Sequence, residues 1–195
     1  MNEIKFLAET SLGALLDALG VEQTYVNAVG RGGNVWRELG DAVGPELTEG
    51  LRSTRPHNPV KGVFTAATEV VARYGSAAGG DDPLARAGAE KIAVVGMRGC
   101  ECRALAYMDT VMLSEPSPDP FYAPRRAATT IVSVDCAQAA DTCFCNLLGA
   151  DAFATDVADV NLSPVEGGYV VSALSETGEK VLATADAVLT DANEA

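Results

Sequence analysis

The sequence predicts an α/β fold in which a small mixed sheet has parallel strands at its centre and is flanked by helices and β-hairpins. Two apolar runs of strand length, residues 91–97 and 129–134, lie on either side of a helical segment at 103–109. Strand–helix–strand units of this kind join parallel strands by a right-handed crossover. Glycine-containing turns at 30–33 and 166–168 each separate two strand-like segments, a pattern typical of hairpins.

Composition indicates a globular protein and excludes several classes of partner. The 195 residues are 48% hydrophobic and 21% charged, which suffices to bury a core without disulfides. The 27 acidic residues outnumber the 14 basic ones, so the chain is a poor partner for nucleic acid or for an anionic membrane surface. No apolar run reaches the ~18 residues of a membrane span, and acidic residues interrupt the N-terminal apolar segment. We therefore expect no membrane insertion and a cytoplasmic location.

The pattern divides the chain into two lobes, residues 1–74 and 84–195, and is also compatible with one continuous domain. The first lobe is expected to contain, in order, a helix, a hairpin, a loop and a short helix, over residues 7–19, 23–39, 40–62 and 65–74. The glycine- and alanine-rich segment 75–83 is typical of a flexible linker. The turn at 30–33 also has a weak phosphate-loop pattern, but no helical pattern opens after it.

The second lobe begins with the strand–helix–strand unit, whose helix and second strand are separated by a proline-rich loop at 114–124. A hairpin is expected over residues 159–174. Pro164 within it predicts an edge position for its first strand, because proline cannot donate to a sheet ladder. A last helix is expected after Gly178.

All five cysteines lie within residues 100–145, and this clustering is the most informative feature of the sequence. They are Cys100, Cys102, Cys136, Cys143 and Cys145. Grouped thiols in a cytoplasmic protein are more typical of metal ligands or redox groups than of disulfides. The first pair and Cys136 each follow a predicted strand. If those strands are parallel neighbours, their carboxyl ends share one edge of the sheet, and the thiols converge there.

Four converging thiolates bind either a single zinc ion or an iron–sulfur cluster. The spacings C-x-C and C-x₆-C-x-C differ from the C-x₂₋₄-C of structural zinc sites, which favours iron. Two other interpretations stay open. Cysteines are often buried core residues, and a dithiol redox pair is possible, although neither C-x-C matches the thioredoxin-like spacing.

Several motifs, in order, resemble one known family. Residues 96–105 followed by Asp109 are similar to G-x-R-x-C-D-x-x-A-L with a later Asp, and residues 119–126 are similar to D-x-Y-Y-x-x-R-R. The last three thiols with Phe144 are similar to C-x₆-C-F-C, and an upstream P-x-K with a helix Glu matches Pro59, Lys61 and Glu69. The chain thus resembles, over roughly residues 55–178, the iron–sulfur β subunits of sulfhydrogenases, the A subunits of anaerobic sulfite reductases and relatives in heterodisulfide-reductase-like complexes.

The resemblance implies an electron-transfer subunit of an anaerobic oxidoreductase complex. Because no general-base histidine lies near the cysteines in the sequence and no nucleophile motif is present, we expect no catalytic residue in this chain. It implies one iron–sulfur cluster, of the four-iron type, held by Cys100, Cys136, Cys143 and Cys145, with Cys102 or Glu101 as a substitute ligand. Two departures matter. Glu101 stands where the family has Asp, and the family's ferredoxin-like part with two cluster motifs is not found in this sequence. Hydrogenase, reductase, flavoprotein or ferredoxin-like subunits are the expected partners, and a flavin is expected, if anywhere, on a partner.

Three further residues are expected near the cluster. Phe144 is expected to pack beside it, and Arg98 and Arg103 to offset its negative charge or to hydrogen-bond its sulfurs. Surface salt bridges are the alternative for the two arginines. The pair Arg125 and Arg126 is compatible with a partner-facing surface, a flavin phosphate site or a solvated loop.

Two functions of other classes stay open. One is a non-catalytic assembly module with a structural zinc or no metal, and the other is a flavin-binding oxidoreductase component. His57, the single histidine, is a candidate ligand or proton donor, although a lone histidine in a proline-rich loop is more often simply exposed.

Overall fold

The computed structural model describes residues 4–40, 44–72, 87–88, 90–154 and 157–192. In this part of the chain, eight strands form one sheet: β1 (Lys5–Ala8), β2 (Gln23–Gly30), β3 (Gly33–Glu38), β4 (Ile92–Met97), β5 (Thr129–Val134), β6 (Val160–Val165), β7 (Gly168–Ala173) and β8 (Leu189–Asp191). The helices are α1 (Leu12–Ala18), α2 (Pro45–Arg52), α3 (Lys61–Phe64), α4 (Gly99–Met112), α5 (Tyr122–Ala127) and α6 (Glu176–Thr184). Short 3₁₀ turns occur at Glu9–Ser11, Cys145–Leu148 and Asp186–Val188.

The sheet confirms the predicted α/β fold with parallel strands at its centre. Its strand order is β3-β2-β4-β5-β6-β7-β1-β8. Strands β2, β4, β5 and β6 are parallel, and the remaining pairs are antiparallel. The sheet takes strands from both sides of the segment 75–83, which lies outside the described residues, and the division into two lobes stays a prediction.

The two predicted hairpins are confirmed, with β2 pairing β3 and β6 pairing β7. The edge position predicted from Pro164 is wrong, because β6 lies between β5 and β7. The pairing of β5 with β6 ends at Leu162, so no strand on that side requires an N–H from residue 164.

The first helix starts later than predicted. Leu7 lies in β1, where it pairs with Tyr169 of β7 and Leu189 of β8, and the α-helix begins only at Leu12. The apolar spacing of a short strand followed by a helix matches a longer helix, so only the distant pairing partners distinguish the two. At the other end, α6 begins at Glu176, just ahead of the predicted Gly178, because the Ser175 hydroxyl accepts a hydrogen bond from the Gly178 N–H and caps it.

Two further corrections concern residues 40–74. The predicted loop contains α2, which begins with Pro45 at its first turn, a position where the missing N–H costs nothing. The predicted helix over 65–74 is wrong for its described part, because α3 covers Lys61–Phe64 and residues 65–72 are not helical. The rest of that prediction lies outside the described residues.

The sheet is covered on both faces. Alternate residues of β4 belong to two separate cores, with Ala93 and Val95 in one and Ile92 and Val94 in the other. Helices α1, α2 and α6 contribute to the first core, and α3, α4 and α5 contribute to the second. This arrangement is a three-layer α/β/α architecture. Among the described helices, none is both long and apolar enough to cross a bilayer.

Candidate metal centre

The first thiol lies where β4 passes into α4. Gly96 has a φ of +99°, and the ladder with β5 shifts register between Val95 and Met97. A Cβ at Gly96 would lie 2.7 Å from Leu51 Cδ2, so the bulge needs glycine. Gly99 opens α4, and its missing side chain lets the helix start pack against the carbonyl of Phe153. Cys100 therefore lies in the first turn of the helix.

The second thiol follows the adjacent parallel strand. Cys136 comes two residues after the end of β5, and its N–H donates to the Ala152 carbonyl at 2.9 Å. The preceding Asp135 is fixed to β6, because its carboxylate accepts from Asn161 Nδ2 at 3.0 Å and from the Ser163 hydroxyl at 2.5 Å. Cys136 is therefore held through its own N–H and through the preceding Asp135.

The last two thiols lie in the loop after Cys136. The Sγ of Cys143 accepts a hydrogen bond from the Ala140 N–H at 3.3 Å, and Cys145 opens a 3₁₀ turn. Cys100 is hydrogen-bonded to Cys145 and interacts electrostatically with Cys136, which interacts with Cys143 and Cys145. These interactions link Cys100, Cys136, Cys143 and Cys145 pairwise, but no three of them are arranged to hold a metal ion. Their role as metal ligands stays a prediction.

Burial and the repulsion of neighbouring groups favour the neutral thiol of Cys100 and of Cys136. Burial first, then Glu101 and the neighbouring thiols, raise the pKa of Cys100 to about 12. Burial also raises the pKa of Cys136, and the nearby Arg98 opposes that rise. A bound cation would reverse this balance, because thiolate ligation deprotonates the sulfur.

The two predicted substitute ligands are engaged elsewhere. Cys102 is 1% exposed and belongs to the core that includes Leu105 and Tyr122. The carboxylate of Glu101 accepts from Trp36 Nε1 at 3.0 Å and from the Arg98 N–H at 3.1 Å, which caps α4. Burial raises the pKa of Glu101, and these two hydrogen bonds oppose the rise.

Arg98 is fully buried, so the surface salt bridge considered for it is wrong. Its Nη1 donates to the carbonyls of Val134 and Asp135, and its Nη2 donates to those of Gly50 and Leu51 at 2.9 Å each. The buried Nε has no hydrogen-bond partner in the described part of the chain. Burial lowers the pKa of Arg98, while the attraction of Cys136 opposes that change.

The thiols border a cavity of about 640 Å³. Cys100, Cys143 and Cys145 line it, whereas Cys136 and Cys102 do not. Arg103 and Phe144 also line it, and both are exposed. The arrangement therefore places the predicted Arg103 and Phe144 beside three of the four thiols, and Arg98 interacts electrostatically with Cys136 and Cys100.

A second segment that lines the cavity was only partly predicted from the sequence. We call this segment, residues 54–61, the strap. It includes the exposed His57 together with Asn58 and Lys61. Gly33 makes room for the imidazole, since a Cβ there would lie 2.3 Å from His57 Nε2. The glycine-rich turn and the P-x-K motif were the available signals, and neither reveals that the two segments meet.

The arginine pair after the proline-rich loop holds helices together rather than standing free. Arg125 donates to the Phe64 carbonyl at 2.7 Å and pairs with Glu69, and Arg126 pairs with Asp109 at 3.1 Å. Asp109 also accepts from the Tyr122 hydroxyl at 2.5 Å. The solvated-loop interpretation of this pair is wrong, because these motif residues connect α4, α5 and the segment after α3.

The described residues contain no group of three or more His, Cys, Asp or Glu side chains arranged to hold a metal ion. The five cysteines, all within the described part, form no disulfide.

The fold and the site together define an α/β protein with a cysteine-rich edge at the carboxyl ends of its parallel strands. This chain is similar to the sulfhydrogenase 2 subunit beta of Pyrococcus furiosus, with 36% identity over 90 residues. The match covers 46% of this chain and 26% of the relative, so the chain spans about a quarter of the length of that protein. It supports, over that part of the chain, the resemblance carried by the motifs. No family model matches, and no solved structure matches.

Proposed function

We propose that this chain carries an iron–sulfur cluster and relays electrons within a cytoplasmic hydrogenase-type or reductase complex. The observation that carries the proposal is the pairwise interaction of four cysteine thiols that come from two strand ends and one loop. Cys100, Cys136, Cys143 and Cys145 are the proposed ligands, and a four-iron cluster is the proposed type. Cys102 and Glu101 would be used only as substitutes.

The donor set fits such a cluster in three respects. All four donors are sulfurs, which are the preferred ligands of iron–sulfur clusters. A backbone N–H already donates to Cys143 Sγ, and hydrogen bonds to sulfur are one way in which a protein tunes a cluster's potential. The guanidinium of Arg98 lies near Cys136 and is held by four carbonyls, so its charge faces the thiols without being able to move away.

The cluster, when bound, would supply one-electron transfer. The chain's own residues would hold and insulate it. Phe144 would limit water at the mouth of the site, and Arg98 with Arg103 would offset the negative charge of the thiolates. We assign no catalytic residue to this chain.

The surface around the site supports a partner subunit. On the thiol loop, which we define as residues 136–149, Phe144, Leu147 and Leu148 are 56%, 82% and 56% exposed. Exposed apolar clusters commonly mark interaction sites. The similarity to a sulfhydrogenase subunit favours a hydrogenase-type partner, and a reductase, flavoprotein or ferredoxin-like subunit would serve the same role. Any flavin is proposed to lie on that partner.

Anaerobic purification of the full chain tests the proposal directly. Iron, sulfide and zinc are quantified on the sample used for ultraviolet-visible and EPR spectra. We expect a brown protein with about four iron and four sulfide, absorption bleached by dithionite, and an EPR signal in the reduced form. A colourless protein with one zinc per chain would overturn the proposal and favour the structural assembly module.

A further inference from the structure

We propose that the cavity beside the thiols binds a small organic anion, that is, a molecule with an apolar body and an acidic group such as a phosphate, sulfonate or carboxylate. The inference goes beyond the proposed function. Cys100, Cys143 and Cys145 border the same cavity, but the groups that would bind the anion are other residues.

The charge of the cavity differs from that of the rest of the chain. Although acids outnumber bases 27 to 14 overall, the cavity is lined by three bases, Arg55, Lys61 and Arg103, and by one carboxylate, Glu101. Three thiols, those of Cys100, Cys143 and Cys145, also border it. Both oxygens of that carboxylate already accept hydrogen bonds. Arg55 and Glu101 attract each other electrostatically.

The three cationic groups are available to a ligand. All three residues are exposed at the cavity, and their side chains form no hydrogen bond or ion pair with another residue that the structure describes. Cations gathered in one concave site raise the local potential and attract an anion. The available guanidinium and ammonium donors suit phosphate, sulfonate or carboxylate oxygens.

The strap that carries two of these cations is preformed. The side chain of Asn58 accepts from the Trp36 N–H at 2.7 Å and donates to the Trp36 carbonyl at 3.1 Å. The His57 N–H donates to the Asn34 carbonyl at 2.8 Å, and the Asn34 side chain donates to the Thr54 carbonyl at 2.8 Å. Because β3 holds the strap through both main-chain and side-chain bonds, little order has to be gained when a ligand binds.

Apolar side chains also line the cavity, and they select against a bare inorganic ion. Leu105, Tyr107, Met108, Phe144 and Leu148 line the cavity. Its volume of about 640 Å³ lies in the range that small-molecule sites occupy. An apolar body gains free energy by covering these side chains while the acidic group meets the cations, which points to an organic anion.

Two fluorescent probes that differ by one charge test the inference on the full chain. 8-Anilinonaphthalene-1-sulfonate carries a sulfonate, and N-phenyl-1-naphthylamine is its uncharged counterpart. Affinities are measured by titration for the native chain and for a cavity variant with Arg55→Gln, Lys61→Gln and Arg103→Gln. A matched control carries Arg31→Gln, Lys91→Gln and Lys180→Gln, which remove the same charge from exposed residues that do not line the cavity.

We expect the cavity variant to bind the sulfonate about tenfold more weakly and the uncharged probe within about twofold of the native chain. The control variant is expected to bind both probes within about twofold. Equal loss of sulfonate binding in the two variants, or no loss in the cavity variant, would overturn the proposal. Should the triple variant not fold, as judged by circular dichroism, the single variant Arg103→Gln at an exposed position of α4 replaces it in the test. It is expected to bind the sulfonate about threefold more weakly, and unchanged binding would overturn the proposal.

Discussion

Strands β6, β7, β1 and β8, which we call the antiparallel half of the sheet, are stabilised differently from the thiol loop. In the antiparallel half, Leu7 and Tyr169 are fully buried, and Arg52 lies 5.1 Å above the Tyr169 ring while pairing with Glu9. On the thiol loop, residues 136–149, the large apolar side chains are exposed and Cys143 is exposed as well. The first region is stabilised by apolar burial, whereas the second is not.

This difference indicates which part of the chain a bound metal would stabilise. Many of the loop's main-chain bonds are short-range ones, such as the Cys143 N–H to the Ala140 carbonyl and the Leu147 N–H to the Phe144 carbonyl. Segments with few buried apolar contacts open at low free-energy cost. Metal binding by thiolates would supply the stabilisation that burial does not provide here.

The largest effect is expected from removing a proposed ligand. Cys136→Ser, Cys143→Ser and Cys145→Ser each delete a thiolate, so the purified variants should contain at least about tenfold less iron than the native chain. Iron and sulfide analysis with the visible spectrum measures the loss. Cys102→Ala is the matched control, because that thiol packs in the apolar core and its replacement should leave the iron content unchanged. Unchanged iron in all three ligand variants would contradict the proposed ligand set.

Replacing Arg98 should destabilise the fold as a whole, because its hydrogen bonds connect α2 with the end of β5. Arg98→Met leaves the carbonyls of Gly50, Leu51, Val134 and Asp135 without their buried donor, and we expect a loss of about 3 kcal/mol or more in unfolding free energy. Arg98→Lys should rescue little of this, since an ammonium group cannot reproduce the planar fork.

Chemical denaturation of the metal-free chain measures the effect. Arg103→Met serves as the comparison, because Arg103 is exposed and its loss should change the free energy of unfolding by less than about 0.5 kcal/mol. Equal stability of the two variants would show that the bonds of Arg98 are not structural.

The same contrast explains which parts of the structure the sequence predicts. The apolar runs that become β4 and β5 are buried on both faces, so their composition alone identifies them, and their parallel pairing follows from the helix between them. The convergence of the thiols at one edge follows in turn from that topology. Both hairpins carry their turn signal locally.

The errors occur where distant contacts decide the structure. Leu7 is in a strand because β7 and β8 pair with it, and no local pattern reveals those partners. Pro45 made the segment of α2 resemble a loop, although the i, i+4 spacing of Leu47 and Leu51 indicates a helix. The burial of Arg98 depends on carbonyls from α2 and β5, which no sequence motif brings together.

Hydrogen exchange with and without iron sharpens the comparison. Removing the metal should raise amide exchange across residues 136–149 by about tenfold or more, while β4, β5 and the antiparallel strands keep their protection. The reason is that apolar burial, which stabilises the sheet, is unaffected by the metal. Peptide-level mass spectrometry on the two samples measures it, and uniform protection in both would refute the view that the loop depends on a ligand.

The smallest effect concerns Tyr122, where α5 packs on α4. Tyr122→Phe removes the hydrogen bond to Asp109 and should cost about 1 kcal/mol in unfolding free energy at pH 8. Burial first, then that bond and the charge of Asp109, raise the pKa of Tyr122 in the folded chain. The unfolded chain therefore releases this proton first as the pH rises past about 10, and the tyrosine's contribution to stability falls from there upward. Denaturation between pH 8 and 11 should show the gap between native chain and variant narrowing above pH 10, whereas a gap that widens would contradict the assigned direction of the pKa shift.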